Sequence, residues 1–192
     1  MIRNNLAVIL TEKQIRISKM ANDTGISRTT LTALSQNTNK MVQMGTINSV
    51  CMYLGTDPTR FFEYLPFDFD FNFQLGDIDK EHSKSTGSNY SFRSAFFINI
   101  SENNKRVETI EFSGFTDCTN KSTHKYDSLF NVTDQNNMDK LTPYLERMSL
   151  ACMTDVKRDA AKFINDGTLD EITDRYQVDS LDVSTKISFS IK

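Results

Sequence analysis

Residues 17–36 read ISKMANDTGISRTTLTALSQ, and this pattern predicts two short helices joined by a tight turn. We expect Ser18 to cap the first helix, because a serine oxygen accepts a hydrogen bond from a backbone N–H of the first turn. Gly25 is expected to end that helix, since glycine adopts positive φ without a steric penalty and lets the chain reverse. Ser27 is then expected to cap the second helix. The stretch therefore predicts two helices that cross closely over the turn.

The second helix has an apolar side and a polar side. Leu31 and Leu34 lie three residues apart and are predicted to face the core, and Ile26 is available to join them. The opposite side carries one arginine and several short side chains, which are Arg28, Thr29, Thr32 and Ala33. Arginine pairs with O6 and N7 of guanine, and threonine contacts a thymine methyl group or a phosphate. This side of the helix therefore indicates insertion into the major groove of double-stranded DNA.

A small residue, Ala21, stands where two steeply crossing helices approach each other most closely, and Gly25 follows four positions later. Together with Leu31 and Leu34, this spacing resembles the helix-turn-helix of the Cro and phage-repressor-like (XRE) transcriptional regulators. The resemblance covers residues 1 to about 66. It implies an all-α, five-helix, lambda-repressor-like domain that binds DNA.

The segments on both sides of the turn match the other helices of that domain. Residues 1–15 predict a first helix, residues 45–55 a fourth and residues 57–66 a short fifth. Asp57 can cap the fifth helix, and Pro58 stands at its first position. The inward residues are expected to be Ile2, Leu6, Ile9 and Leu10 in the first helix and Ile47, Val50, Cys51 and Leu54 in the fourth.

The predicted DNA contacts follow from the two central helices and the loop after them. Lys19 and Lys40 are candidates for phosphate contacts, although each is equally well explained as a solvated side chain, and Asn37 offers a neutral donor. Two departures from the family pattern leave the operator sequence open: the second helix lacks the glutamine often found at its start, and Ser35 or Gln36 replaces a common acidic residue. The predicted DNA-binding residues are Ser18, Lys19, Ser27, Arg28, Thr29, Thr32, Ala33, Gln36, Asn37 and Lys40.

The distribution of charge supports this interpretation over a helical hairpin that only packs. Residues 1–66 contain seven Lys and Arg against four Asp and Glu, a net charge of +3. The rest of the chain contains 15 basic and 21 acidic residues, a net charge of −6. A DNA-binding face needs local positive potential rather than a basic whole protein, so the total charge of −3 is compatible with DNA binding.

Residues 67–192 are predicted to form a separate α+β domain. Residues 67–75, FDFDFNFQL, alternate strictly between apolar and polar side chains, which indicates a half-buried strand. The polar residues 76–89 predict a loop. Two further strands are predicted on either side of a four-residue turn, ENNK, at 102–105, and residues 117–137 predict irregular structure.

A long helix and a final strand complete the predicted second domain. Thr142 and Pro143 suit the start of a helix that keeps its apolar spacing to Gly167, and its exposed end is expected to meet a second subunit. Thr168 and Glu171 suggest a capping box for one more short helix. The last strand alternates apolar residues at Val183, Thr185, Ile187, Phe189 and Ile191. We expect an antiparallel or mixed sheet with the long helix on one face.

The sequence contains no pattern typical of a catalytic or metal site. Cys51, Cys118 and Cys152 lack metal-ligand spacing, and no catalytic motif surrounds His82 or His124. The alternating aspartates of residues 68–70 are expected to form a solvated face. There is also no phosphate-binding glycine loop, no signal peptide and no apolar run of membrane length. We therefore expect a cytoplasmic protein that is not an enzyme and needs no cofactor or metal.

Two functions remain for the whole chain. In the favoured one, the second domain dimerises or senses a ligand, and the protein is a dimeric repressor of a phage or mobile element that binds a pseudo-palindromic operator. Its half-sites are then expected roughly 34 Å apart. In the alternative, the second domain binds another protein, as an anti-CRISPR or anti-repressor protein would, and the helix-turn-helix domain autoregulates its own promoter.

Overall fold

The computed structural model describes residues 1–131, 134–176 and 181–188. The chain divides into two compact units. The first unit contains Met1–Pro66 together with Leu150–Asp155, and the second contains Phe67–Ser149 and Val156–Lys192. The first unit therefore includes a short segment that lies far away in the sequence, which the residue pattern did not predict.

The first unit is mainly helical, with one small pair of strands. Strands β1 and β2 are antiparallel, and Ile2 lies opposite Tyr64. In chain order its elements are β1 (Ile2–Asn4), α1 (Leu6–Glu12), α2 (Ile17–Thr24), α3 (Arg28–Ser35), α4 (Met44–Leu54), α5 (Pro58–Phe61) and β2 (Phe62–Tyr64).

The start of the chain differs from the predicted first helix. Ile2 was expected in the core, but it lies in β1 with 68% of its surface exposed. The reason is that the chain returns beside its own start after α5, and the backbone N–H of Asn5 donates to the carbonyl of Phe61. Residues 2–4 therefore form strand hydrogen bonds with residues 62–64 instead of a helical turn.

The turn between α2 and α3 has the predicted glycine and the predicted second cap. Gly25 has φ of 73°, and its N–H donates to the carbonyl of Ala21. Ser27 caps α3 by accepting a hydrogen bond from the N–H of Thr30. The prediction for Ser18 was wrong, because α2 already begins at Ile17 and Arg16 occupies the N-cap position.

The core of the first unit holds these helices together. Ile15, Ile17 and Ile26 are partly buried and pack against it. Because burying apolar side chains is the main favourable term in folding, this cluster determines which side of α3 faces outward. The buried members are Leu6, Ile9, Leu10, Met20, Ala21, Leu31, Leu34, Ile47, Val50, Cys51, Leu54 and Phe61.

The second unit is built on a mixed five-stranded sheet with the strand order β3-β4-β5-β6-β7. Neighbouring strands are antiparallel except β6 and β7, which are parallel. Helix α8 begins in the segment that belongs to the first unit. The elements are β3 (Asp68–Ile78), α6 (Lys80–Thr86), β4 (Tyr90–Glu102), β5 (Lys105–Asn120), β6 (Lys125–Asn131), α7 (Gln135–Leu145), α8 (Leu150–Tyr176) and β7 (Asp182–Ser188).

Helices cover one face of the sheet. The ring of Phe71 lies 5.9 Å from that of Phe163, and the ring of Phe92 lies 5.9 Å from that of Tyr176. Ile172 of α8 is fully buried against Leu75 and Phe92. The alternating phenylalanines of β3 therefore face α8, as their period of two predicted.

Several local predictions in the second unit were wrong. The expected loop at 76–89 contains α6, which Asp79 caps by accepting from the N–H groups of Glu81 and His82. The expected irregular segment at 117–137 contains the end of β5, all of β6 and the start of α7. The predicted four-residue turn ENNK was confirmed, by contrast: Glu102 pairs with Lys105, and the two residues between them, Asn103 and Asn104, adopt positive φ.

The helical boundaries also differ from the prediction. A helix was expected from Pro143 to Gly167, but Pro143 lies inside α7, and α8 begins at Leu150. Helix α8 continues through Gly167 to Tyr176, so Thr168 and Glu171 do not start a new helix. The predicted strand positions Phe189 and Ile191 lie outside the described residues.

Candidate nucleic-acid interface

Helix α3 presents a polar surface at its first turn. Arg28 and Thr29 are exposed, and Thr32 and Ala33 are half-buried. Leu31, on the opposite side, is fully buried. The core therefore orients α3 so that its arginine and first threonine face solvent.

Hydrogen bonds to Ser27 cap the start of α3. The N–H of Thr30 donates to the Ser27 Oγ at 3.0 Å, and the two hydroxyl groups of these residues lie 2.8 Å apart. Other N–H groups of a first helical turn have no partner within the helix, and the positive end of the helix dipole lies there. This end of α3 can therefore hold a phosphate while Arg28 contacts a base.

Helix α2 contributes a charged cluster beside α3. The Lys19 Nζ donates to the Asp23 Oδ2 at 2.7 Å, and the Tyr53 hydroxyl donates to the same oxygen at 2.7 Å. The Lys19 ammonium, followed by the Tyr53 hydroxyl, lowers the pKa of the Asp23 carboxyl, and Asp23 in turn raises the pKa of Lys19. The positive charge of Lys19 is thus partly compensated, which makes it a weaker phosphate ligand than the sequence suggested.

The remaining predicted contacts lie in different settings. Ser18 is half-buried inside α2, Gln36 is exposed at the end of α3, and Lys40 is exposed in the following loop. In the part of the chain that the structure describes, no carboxylate pairs with Lys40. The positive charge of Lys40 is therefore not compensated by a carboxylate and can contribute to the positive potential near α3.

Asn37 has a different role from the predicted phosphate donor. Its Oδ1 accepts from the N–H of Asn4 at 2.8 Å and from the Asn4 Nδ2 at 2.7 Å. Its Nδ2 donates to the Asn4 carbonyl at 3.1 Å and to the Asp155 Oδ2 at 2.9 Å. Because both donor hydrogens and the acceptor are used, the amide of Asn37 holds the loop after α3 to β1 instead of offering a donor to DNA.

A largely buried ion pair completes this network. The Arg3 Nη1 lies 2.9 Å from the Asp155 Oδ2, and the two side chains are only 12% and 17% exposed. Nearby in the same segment, Cys152 is buried, and burial raises the pKa of its thiol to about 11. Sequence reasoning missed this group because Asp155 lies 118 positions after Asn37 and no local pattern links the two.

The described ranges contain no cluster of three or more His, Cys, Asp or Glu side chains that could hold a metal ion. Nor does any helix within them have the length and apolar character required to cross a membrane.

The comparison with protein families identifies the first unit. Residues 5–66 match the family model of the Cro/C1-type HTH DNA-binding domain. This part of the chain is therefore a Cro/C1-type helix-turn-helix domain, as its sequence pattern indicated, and the match supports a DNA-binding regulator. The comparison with curated proteins gave no match, and neither did the comparison with solved structures.

Proposed function

We propose that the protein is a sequence-specific transcriptional repressor of a phage or other mobile element that acts as a homodimer in the bacterial cytoplasm. The observation that carries the proposal is the first turn of α3 in a Cro/C1-type domain, where Ser27 holds the helix start and Arg28 and Thr29 are exposed. The net charge of +3 over residues 1–66 supports binding to the phosphate backbone.

The exposed and half-buried residues of this surface have different roles in the proposal. Arg28 donates two hydrogen bonds to a guanine, while Thr29, Thr32 and Ala33 contact neighbouring bases or thymine methyl groups. Lys40 and Gln36 contact phosphates and position the helix without selecting a sequence. Ser18 and Lys19 contribute from α2 at the edge of the same surface.

We infer dimerisation from the short length of the recognition helix, α3. Helix α3 has eight residues, and a recognition helix enters the groove mainly by its N-terminal part, so one copy contacts only a few base pairs. Two copies on inverted half-sites, with centres roughly 34 Å apart, supply the missing affinity and specificity. We assign self-association to the second unit.

Selection of DNA from a random library by the full chain, followed by fluorescence-anisotropy titration, tests the proposal. We expect Arg28→Ala to weaken binding to the selected site by about 1 to 3 kcal/mol, which is about 5-fold to 150-fold. Binding to random DNA is expected to change much less. The matched control is Arg106→Ala, which removes an exposed arginine from the β4–β5 hairpin and leaves α3 intact.

Two results would contradict parts of the proposal. Equal losses of selected and random DNA binding in Arg28→Ala would remove its role in base recognition. If the selected DNA contained a single half-site and light scattering gave the mass of a monomer, the proposed homodimer would be contradicted. If no sequence is enriched at all, the protein-binding effector becomes the better explanation of the second unit.

A further inference from the structure

Strand β3 is one edge of the five-stranded sheet, and it has 11 residues. Proteins usually protect such an edge with lysine, proline, a bulge or a covering element, because its outer N–H and C=O groups can pair with another chain. Residues 68–74, DFDFNFQ, contain neither lysine nor proline, and the irregularity in the pairing of β3 lies beyond them, between Leu75 and Ile78. This part of the edge is therefore regular and can accept another strand.

A side chain of α8 covers the end of this edge. The Arg175 Nη2 donates to the Leu75 carbonyl at 2.6 Å, and the Arg175 Nη1 donates to the Gly76 carbonyl at 3.0 Å. The Leu75 carbonyl thus points away from β4. Because the peptide groups of an antiparallel strand alternate between its two sides, those of the three phenylalanines of residues 68–74 also point outward. Within the described part of the chain no further strand pairs with them, so residues 68–74 are the open part of the edge.

The inward side chains at this edge are incompletely buried. Phe92 and Phe96 of the neighbouring strand β4 are fully buried, whereas the three phenylalanines of residues 68–74 are only half-buried. Phe163 of α8, whose ring lies 5.9 Å from that of Phe71, is 41% exposed. Strand β4 has a neighbour on each side, and β3 has a neighbour on one side only. A further strand at this edge would therefore bury aromatic surface, which favours association.

The polar side chains of the open edge are complementary to themselves. On the face of β3 away from α8 they are, in order, Asp68, Asp70, Asn72 and Gln74. If two copies of β3 pair antiparallel about Phe71, Asp70 of one copy lies opposite Asn72 of the other, and Asp68 lies opposite Gln74. Each carboxylate then faces an amide, which can donate a hydrogen bond to it. A two-fold symmetric contact needs a surface that is complementary to itself, and this order of side chains provides one.

The neighbouring registers are less favourable. A two-fold axis at Asp70 would place the two Asp70 carboxylates opposite each other, and like charges directly opposite destabilise a strand pair. A two-fold axis at Asn72 would pair Phe69 with Leu75, whose carbonyl already accepts from Arg175. The charges on one side and Arg175 on the other therefore select the register centred on Phe71.

We propose that two copies of the chain associate by antiparallel pairing of residues 68–74, with the two-fold axis at Phe71. The two sheets then form one continuous sheet, and the outward N–H and C=O groups of the phenylalanines pair across the axis. This inference rests on the homodimer of the proposed function and identifies its interface. The interface is separate from α3, so its tests use the full chain without DNA.

Sedimentation equilibrium of the full chain measures the dissociation constant of the dimer. Asn72→Asp places a carboxylate opposite Asp70 in both symmetry-related contacts, so we expect the dissociation constant to rise at least about tenfold. Asp70→Asn together with Asn72→Asp exchanges the two side chains and again sets a carboxylate opposite an amide. This double variant is expected to return to within about threefold of the parent chain.

Ser113→Asp is the matched control for the added charge. Ser113 is exposed on β5, and it lies opposite Ala95, which in turn lies opposite Gln74, so it shares the face of Asn72 away from the edge. The dissociation constant of this variant is expected to stay close to that of the parent chain. Recovery in the double variant also excludes a folding defect as the cause of the loss in Asn72→Asp, because the double variant contains the same substitution.

Cysteine cross-linking tests the register. An Asp70→Cys chain is mixed with an Asn72→Cys chain and oxidised. In the proposed register the Cα atoms of these two positions lie about 4.5 Å apart, a separation that a disulfide can span. We expect more cross-linked dimer from the mixture than from either variant alone, because two copies of one variant place their cysteines two residues out of register. The three native cysteines are buried.

Three results would overturn the inference. They are a monomeric parent chain, equal dissociation constants for Asn72→Asp and Ser113→Asp, and cross-linking of the mixture no stronger than that of the single variants. A dimer that is unaffected by Asn72→Asp would associate through another surface, such as the end of α8, and would leave the dimeric repressor in place. Conversely, a dimer with the expected responses that enriches no DNA sequence would support this interface and contradict the repressor.

Discussion

Two glycines of the first unit have the same open surroundings but different backbone conformations. A Cβ added to Gly25 or to Gly45 would meet no atom within 4 Å, yet only Gly25 has a positive φ, of 73°. We expect Gly25→Ala to lower the free energy of unfolding by about 1 to 2 kcal/mol, because L-residues are strained in the left-handed region. Gly45→Ala is expected to raise it by about 0.5 to 1 kcal/mol, because the helical backbone of α4 suits alanine.

Urea unfolding of the full chain measures both changes. The two variants serve as each other's control, since each adds one methyl group to uncrowded space. If the free energy of unfolding changed in the same direction in both variants, the positive φ of the turn would not be the reason that position 25 requires glycine.

The Asp155 carboxylate has a structural role that its position in α8 does not suggest. It pairs with Arg3 and accepts from Asn37, and it lies mostly out of solvent. We expect Asp155→Ala to lower the free energy of unfolding of the first unit by about 3 kcal/mol, because it removes a carboxylate that pairs with a largely buried arginine.

Asp159→Ala is the matched control for this prediction. Asp159 lies one helical turn further along α8 and pairs with Arg158 on an exposed surface. An exposed pair contributes little, so the control is expected to stay within about 0.5 kcal/mol of the parent chain. Similar losses for the two aspartates in chemical unfolding would contradict the role assigned to Asp155.

At the scale of elements, Gly167 allows α8 to approach the sheet. A Cβ at this position would lie 2.8 Å from the Phe73 Cδ1, closer than packed atoms tolerate. We expect Gly167→Ala to cost about 1 to 3 kcal/mol of unfolding free energy through overpacking, although alanine favours a helix. Phe73→Leu added to Gly167→Ala should recover part of this loss.

A double-mutant cycle with Phe73→Leu alone isolates the contact. A coupling energy of about 1 kcal/mol or more is expected for two residues that touch. Stabilisation by Gly167→Ala, as in an exposed helix, would show that the close approach of α8 and β3 is absent.

The strands show which elements an alternating pattern can predict. Strand β3 was predicted because all its inward residues are apolar. Strand β6 was missed because its inward residues include Ser128, whose hydroxyl lies 3.0 Å from that of Thr116, and Thr116 in turn contacts Ser94 at 2.9 Å. These buried hydroxyl groups provide hydrogen-bond partners for one another inside the sheet. Because they occupy inward positions, the alternation of apolar and polar residues that identifies a strand is interrupted in the sequence.

At the scale of the whole molecule, the first unit depends on residues outside its own stretch of sequence. Leu150–Asp155 belong to it and supply buried Cys152 as well as the ion pair with Arg3. We expect a fragment of residues 1–66 to be less stable than the same residues in the full chain. Hydrogen exchange in peptides from α2 and α3 should be about 100-fold less protected in the fragment if about 3 kcal/mol is lost.

The Asp155→Ala variant of the full chain is the control for this experiment, because it removes the ion pair and keeps Cys152. Its protection is expected to fall between that of the fragment and that of the parent chain. Equal protection in the fragment and the parent chain would show that Leu150–Asp155 add nothing to the folding of the first unit.

Sequence patterns were sufficient to predict the features that depend on near neighbours. The glycine at the turn, the cap at Ser27, the outward position of Arg28 and the alternation of β3 all follow from residues within a few positions of one another. Their physical basis is local, because backbone sterics, capping hydrogen bonds and side-chain periodicity act over one or two turns.

The pairings between distant parts of the chain could be found only from the folded structure. In the structure, Asp155 pairs with Arg3, residues 2–4 form a strand, and α8 continues past Gly167. Each of these depends on a partner many residues away, which supplies a charge, a hydrogen bond or packing space. Intrinsic helix and strand propensities do not depend on such distant partners. The interaction energies with those partners, a few kcal/mol each, exceed the propensity differences between residue types.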